Sequence, residues 1–157
     1  MSVERLPYDD DTAFTLSDDA ATIARITRTA SADDLRAVRF DEWTALEVIG
    51  HVADMADVFA ERVRKIVSED KPRLAPVDQD QIHAERHNNE RDPMELSKRV
   101  QAAHAEIVRL LMTAANRARL GIHGDWGEVP ASHVAAYQAR HSHEHVSDIA
   151  ARFPPSR

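Results

Sequence analysis

Apolar side chains recur along most of this chain at intervals of three and four residues, which is the spacing of one face of an α-helix. The clearest run follows Thr44, where Thr44-Ala-Leu-Glu47 has the form of a capping box and predicts the first turn of a helix. The apolar stripe predicts that this helix continues to about Ser68. Its members are Leu46, Ile49, Ala53, Ala56, Ala60, Val63 and Val67.

Three further helices are predicted from the same periodicity and from residues that commonly begin or end a helix. The segment Ser17–Thr29 opens with Ser-Asp-Asp, which suits a helix N-terminus. Asp92-Pro93 predicts another start, because Asp is a good cap and Pro is tolerated at the first helical position. The last helix is predicted over Ser132–Arg152, before Pro154-Pro155. The chain is therefore predicted to be all-α, with four main helices in a single domain, 1–157.

The segments between these helices lack a clear apolar stripe. Residues 31–40 are predicted to be a connector with one short turn, and Glu69–Arg91 is predicted to be a long loop. A shorter connection with three glycines is predicted over residues 121–130. Because loops of this kind often shape binding sites, we expect 69–91 and 121–130 to border a site and to select its ligand.

Composition and charge narrow the range of partners. The formal net charge is −7 and the sequence pI is about 5.7, which disfavours nucleic acid as a partner because phosphate binding depends on clustered Lys and Arg. No apolar run approaches the roughly 20 residues of a membrane span, and the acidic first thirty residues do not fit a secretory leader. We therefore expect a cytoplasmic protein. The sequence has no cysteine, so any thiol chemistry requires a sulfur from elsewhere.

The nine histidines are the main candidates for chemistry. His141 and His145 are four residues apart, so they share the helix face that also carries apolar residues, whereas His143 falls nearly opposite. Two inward-facing imidazoles at this spacing can bind one divalent metal ion. They can equally be polar residues that bond to backbone or carboxylate groups, and the spacing alone leaves both interpretations open.

The other histidines have weaker signals. His51 lies at the border of the apolar arc of its helix and can face a neighbouring helix. His83 and His87 also have a four-residue spacing, but they lie in a polar segment and are expected to be solvated. Surface or helix-end positions are expected for His104, His123 and His133, and solvent-facing positions for His143 and Glu144.

Three pieces of sequence in this order resemble the DinB/YfiT-like superfamily over residues 15–152. They are the segment Glu42–Asp54 with His51 inside it, the helix start at Asp92-Pro93, and His141-x-x-x-His145-x-x-x-Ile149. The resemblance implies an up-down-down-up four-helix bundle. It also implies a divalent metal, which would be nickel, zinc or iron, held by His51, His141 and His145, with the remaining coordination positions open to water or substrate.

The resemblance further implies a function. Several members of the superfamily act as transferases that join a low-molecular-weight thiol such as bacillithiol, mycothiol or glutathione to an electrophile. A metal at an open site would lower the pKa of a bound thiol or water, so hydrolysis by water is a related expectation. The alternative is a non-catalytic, stress-related bundle that binds a metal or forms a dimer. A small-molecule substrate and a homodimer are the partners expected from the resemblance.

Four residues near the expected ligands are candidates for a supporting role. Asp54 and Asp148 each follow a histidine by three residues, and Glu47 precedes His51 by one turn, so each carboxylate could orient an imidazole. Tyr137 precedes His141 by one turn and could contact substrate. The alternatives are ordinary surface carboxylates and a core tyrosine.

Overall fold

The computed structural model describes residues 5–156 and consists mainly of helices. Four long helices form the body of the molecule, and shorter helices and two small hairpins connect them. None of the helices in this described part is long and apolar enough to cross a membrane. The elements are α1 (Asp10–Thr29), α2 (Ala32–Ala37), β1 (Arg39–Phe40), β2 (Trp43–Thr44), α3 (Ala45–Ser68), α4 (Gln79–Arg86), a 3-10 helix (Asn88–Glu90), α5 (Pro93–Leu110), α6 (Ala114–Ala118), β3 (Leu120–His123), β4 (Gly127–Pro130) and α7 (Ala131–Arg152).

The helix starts follow the capping residues. Thr44 accepts a hydrogen bond from the backbone N–H of Glu47, whose side chain in turn accepts one from the N–H of Thr44, so the predicted capping box is confirmed. Asp92 caps α5 and Pro93 is its first residue, as predicted. The start predicted for the first helix was wrong, because Asp9 forms its own capping box and α1 begins seven residues earlier than Ser17.

The long helices run up, down, down and up, which confirms the expected bundle. Two ion pairs, Asp57–Arg99 and Arg64–Glu106, join α3 to α5. The second pair lies seven residues after the first on both helices, so these two helices are parallel. The helices α1 and α7 are also parallel. Asp19 accepts a hydrogen bond from Ser142, and further along both helices Arg25 donates one to the carbonyl of Phe153. By contrast, His51 lies beside His145 and Phe59 beside Tyr137, so α3 and α7 are antiparallel.

Two parallel consecutive helices require a long return of the chain, and residues 69–92 make it. The expectation of a structureless loop here was wrong, since this segment contains α4, capped by Asp78, and a 3-10 helix. α4 buries none of its residues, which explains why it has no apolar stripe. Residues 121–130 are likewise a β-hairpin, and Ile122 also exchanges backbone hydrogen bonds with Pro72 and Leu74.

The interior consists of two apolar halves with polar groups between them. One half lies near the N-terminal end of α3, from Ala45 to Ala53, and the other follows it from Ala56 to Ile66. The buried polar side chains near the boundary of these two halves are those of His51, Asp54, Asp19 and Ser142. Because buried polar groups need partners, this layer is the place in the bundle where a site is expected.

Gly50 allows the return segment to pack closely against α3. A Cβ at Gly50 would overlap Cβ and Cγ of Asn88. The Asn88 side chain is 1% exposed and donates a hydrogen bond to Asp54 Oδ2 at 3.0 Å. Asn88 is therefore fixed by its partner and cannot easily move aside.

We expect Gly50→Ala to destabilise the protein by about 1–3 kcal/mol, because overpacking at Asn88 outweighs the better helix propensity of Ala. Urea unfolding monitored by circular dichroism measures this. Gly124→Ala is the control, since a Cβ there meets nothing within 4 Å. Equal stability of the two variants would contradict close packing at Gly50.

Candidate metal centre

Three imidazoles converge where α3 and α7 cross the polar layer. His51 comes from α3, and His141 and His145 come from α7. One nitrogen from each ring lies within 4.8 Å of the other two, and the Nε2 atoms of His51 and His141 are 3.3 Å apart. The ring centroids are 4.8 to 5.1 Å apart. The structure thus brings together the three residues predicted as ligands.

Burial keeps these imidazoles uncharged. His51 is 3% exposed, and burial, with the nearby rings of His141 and His145 as a further cause, lowers its pKa from 6.5 to about 3. Burial also lowers the pKa of His141, followed by the effect of His145, and burial lowers that of His145 against the opposing charges of Asp148 and Glu144. At neutral pH the cluster therefore presents neutral nitrogen donors.

This donor set fits a divalent ion. A tetrahedral ion with metal–nitrogen bonds of about 2.0–2.1 Å places its nitrogen ligands roughly 3.3 Å apart, and the Nε2 atoms of His51 and His141 have this separation. Three protein ligands leave at least one position for water or substrate, which is the pattern of catalytic sites. Neutral imidazole suits zinc, nickel and ferrous iron alike.

Trp43 and His83 cover the cluster on one side. The Trp43 ring meets His51 edge-on, with centroids 5.1 Å apart, and stacks on His83 at 4.0 Å. His83 Nε2 is 3.2 Å from Glu47 Oε2, and its Nδ1 is buried without a hydrogen-bond partner among the residues described. The expectation of a solvated His83 was wrong, because α4 folds back over the N-terminal end of α3.

The four candidate supporting residues have different surroundings. Asp54 Oδ1 accepts a hydrogen bond from Arg99 at 2.8 Å and Asp54 Oδ2 one from Asn88, so Asp54 stabilises the packing of α5 rather than an imidazole. Glu47 bonds to His83. Asp148 is exposed and influences His145 through its charge. Tyr137 is half-buried and stacks on Phe59, with centroids 5.6 Å apart.

A cavity lies on each side of the cluster along α3 and α7. The first, of 510 Å³, includes Val48 and His145 and carries several carboxylates. The second, of 430 Å³, begins at Met55 and Tyr137, one turn beyond the ligands in the other direction, and is closed by the β3–β4 hairpin. Both volumes are in the range of small-molecule sites. As expected, the segments 69–91 and 121–130 therefore border cavities beside the cluster.

The remaining histidines lie outside the cluster. His104 and His133 are 1% and 2% exposed, so the surface position expected for His104 was wrong, and His133 is buried although it does lie near the start of α7. His104 Nδ1 bonds to the carbonyl of Leu16, and His133 Nδ1 accepts the N–H of Leu6. His87 is exposed as expected.

His143 and Glu144 are exposed, which confirms the prediction from helical geometry. His143 Nδ1 bonds to Asp19 Oδ1 at 3.0 Å, on the side of α7 that faces α1. It therefore provides an imidazole two residues from His141 that does not join the cluster.

The protein is an up-down-down-up helical bundle, and three histidines meet between its second and fourth long helices. This places it in the class of helical bundles with a candidate metal centre. The sequence model of the DinB superfamily matches residues 15–149, and the chain belongs to this superfamily. The resemblance seen in the sequence is thereby confirmed. No curated protein matches the chain.

Solved structures share the fold at low sequence identity. YfiT from Bacillus subtilis, a probable metal-dependent hydrolase with an unusual four-helix bundle topology, has a TM-score of 0.77 at 21% identity, over 94% of this chain and 88% of YfiT. The mycothiol-dependent maleylpyruvate isomerase has a TM-score of 0.68 at 14% identity, over 89% of this chain and 60% of its own. A histidine-to-alanine mutant of that isomerase gives the same values.

The burial of His104 makes the stability of the metal-free protein dependent on pH. Burial lowers the pKa of His104, although its bond to the Leu16 carbonyl opposes this. Below about pH 6.5 the unfolded chain takes up a proton at this residue while the folded chain does not. The free energy of unfolding therefore falls with decreasing pH, by up to about 1.4 kcal/mol per unit for one such group.

We expect His104→Gln to reduce this dependence, because an amide can donate to Leu16 without titrating. Urea unfolding at pH 7.5 and pH 5.5 in the presence of a chelator measures the difference. His87→Gln, at an exposed position, is the control and should keep the wild-type slope. An unchanged slope in His104→Gln would show that other groups account for the acid sensitivity.

Proposed function

We propose that this protein is a divalent-metal-dependent enzyme that activates a low-molecular-weight thiol as a nucleophile toward an electrophilic second substrate. The observation that carries the proposal is the convergence of His51, His141 and His145, whose neutral nitrogens lie within 4.8 Å of one another. Two relatives in fold support it, since one is a probable metal-dependent hydrolase and the other is mycothiol-dependent.

Two features favour a thiol with a second organic substrate. The cavity of 510 Å³ includes His145, and the cavity of 430 Å³ begins one helical turn from the cluster at Met55 and Tyr137, so a thiol and an electrophile could approach from different sides. The chain itself contains no cysteine that could serve as the nucleophile. Attack by water is the second candidate, favoured by the likeness to YfiT.

The protein contributes position and shielding in this scheme. The three histidines would hold the ion, which when bound lowers the pKa of a thiol or water at its open position. Trp43 and His83 cover one side of the cluster and limit the access of bulk water. The Glu47 carboxylate keeps the His83 ring in place by its contact with the Nε2 atom of His83.

We expect the purified wild-type protein to contain about one divalent ion per chain, as a three-histidine site requires. Inductively coupled plasma mass spectrometry should find this metal in His143→Ala and much less of it in His141→Ala. The two residues lie on the same helix, but only His141 belongs to the cluster. Equal metal content in both variants, or no metal in the wild type after reconstitution, would contradict the metal centre.

For the reaction, we expect the metal-loaded protein to accelerate the attack of a thiol on 1-chloro-2,4-dinitrobenzene, in which a carbon–sulfur bond replaces the carbon–chlorine bond. Glutathione, bacillithiol and mycothiol are each supplied, and the dinitrophenyl thioether is followed by its absorbance. His141→Ala should return to the uncatalysed rate, and His143→Ala should match the wild type.

A parallel assay without thiol, using 4-nitrophenyl acetate, tests water as the nucleophile. Turnover in this assay alone would support the hydrolytic candidate. A protein that retains its metal and accelerates neither reaction would contradict an enzyme and favour a non-catalytic metal-binding bundle.

A further inference from the structure

The second cavity beside the cluster contains a guanidinium group that has no carboxylate partner among residues 5–156. Arg62 of α3 lines this cavity and donates one hydrogen bond, from Nη2 to the carbonyl of Ala75 at 2.8 Å. Its Cζ lies 5.2 Å from the centre of the Phe59 ring. Within residues 5–156 it forms no salt bridge, although guanidinium offers five N–H donors. The charge is thus held in place with most of its donors available.

His123 adds a second donor with a defined orientation. Its Nδ1 accepts hydrogen bonds from the backbone N–H groups of Asp125 and Trp126, at 3.1 and 3.2 Å. The neutral ring therefore carries its proton on Nε2, the opposite nitrogen. Burial, and after it the charge of Arg62, lowers the pKa of His123 and favours this neutral form. Both side chains line the same cavity.

Aromatic rings line the cavity from these donors toward the histidine cluster. Trp126 stacks on His123 with ring centroids 4.0 Å apart and lies 5.0 Å from Tyr137. Tyr137 in turn stacks on Phe59. Flat apolar surfaces of this kind pack well against a planar or hydrocarbon body, while polar donors at one end fix its orientation.

We propose that this cavity binds a carboxylate group of the organic substrate, with Arg62 and the Nε2–H of His123 as its donors and the aromatic wall against the carbon skeleton. In treating the ligand as a substrate, the assignment rests on the proposed function. Arg62 follows His51 by eleven residues, which is roughly 16 Å along a helix. At about 1.2 Å per bond of an extended chain, the carboxylate of such a substrate is separated from the reacting atom by roughly ten bonds or more, less the reach of the Arg62 side chain.

The charges around the cluster favour binding of a carboxylate in the second cavity rather than in the first. The first cavity is lined by Asp41, Glu42, Asp80 and Asp148, which repel an anion. Asp125 also lines the second cavity, but it is exposed, so water and salt screen its charge more than that of the half-buried Arg62. An anionic group is therefore favoured only on the side of the hairpin.

The test uses the metal-free full chain in a chelator and observes the indole N–H signal of Trp126 by nuclear magnetic resonance. The sequence has two tryptophans, so the signal that remains in Trp43→Phe identifies Trp126. The probes are 3-phenylpropionate and its neutral amide, which differ in charge and little in shape. We expect the acid to shift the Trp126 signal in a saturable manner, and the amide to bind at least about tenfold more weakly.

Arg62→Gln should weaken binding of the acid by at least about tenfold and bring it close to that of the amide. Arg62→Lys, which keeps the charge, should retain part of the preference for the acid. Arg64→Gln is the matched control, because Arg64 lies two residues away, is exposed and pairs with Glu106. An unchanged signal of Trp43 reports that each variant is folded.

The proposal is overturned if the wild type shows no shift with the acid, if acid and amide bind alike, or if Arg62→Gln binds as the wild type does. Because the measurement needs neither metal nor turnover, it separates the two proposals. Binding of the acid by a protein that fails the metal test would leave the anion site standing and remove its enzymatic role.

Discussion

The burial of three uncharged imidazoles between α3 and α7 is the interaction on which the rest of the structure depends. Each ring loses hydration when the helices pack, and burial disfavours the charged form of all three imidazoles. A shared cation, as proposed, would offset this cost through all three nitrogens at once. The polar layer is therefore tolerated between two apolar halves that hold α3 and α7 in register.

The topology supplies the cover of this cluster. Because α3 and α5 are parallel, the chain must return along the length of the bundle between them, and residues 69–92 make this crossing. The return carries α4 over the start of α3 and places His83 on Trp43. The same segment pairs with the β3–β4 hairpin through Ile122, and the two together form most of the lining of the second cavity.

The sequence predicted the elements whose signals are local. The apolar stripe and the capping box were sufficient for both ends of α3, and helical spacing alone separated His141 and His145 from His143. His51 could be linked to them only through the family resemblance, because a contact across ninety residues leaves no periodic trace. The ligand role of the three remains a proposal, whereas their convergence is a property of the fold.

The wrong expectations concern residues whose surroundings are set by distant segments. α4 buries no side chain and therefore has no stripe to detect. His104 has no partner at helical spacing, yet it is buried because Leu16 and Gln138, from two other helices, bond to both of its nitrogens. A solvated His83 was inferred from its polar neighbours, which are indeed exposed, while the ring itself turns toward Trp43.

The cavities on the two sides of the cluster differ in the charged residues that line them. The proposed metal ion would itself attract an anionic group from either side, so only the cavity walls can distinguish the two directions of approach. Carboxylates line one wall, and Arg62 with the oriented N–H of His123 lines the other. Under the proposed assignment, a molecule with an acidic end and an apolar body would place its charge at Arg62 and extend along α3 and α7 toward the histidines. In the proposed scheme, the fixed charge three helical turns away would determine which atom of the substrate reaches the cluster.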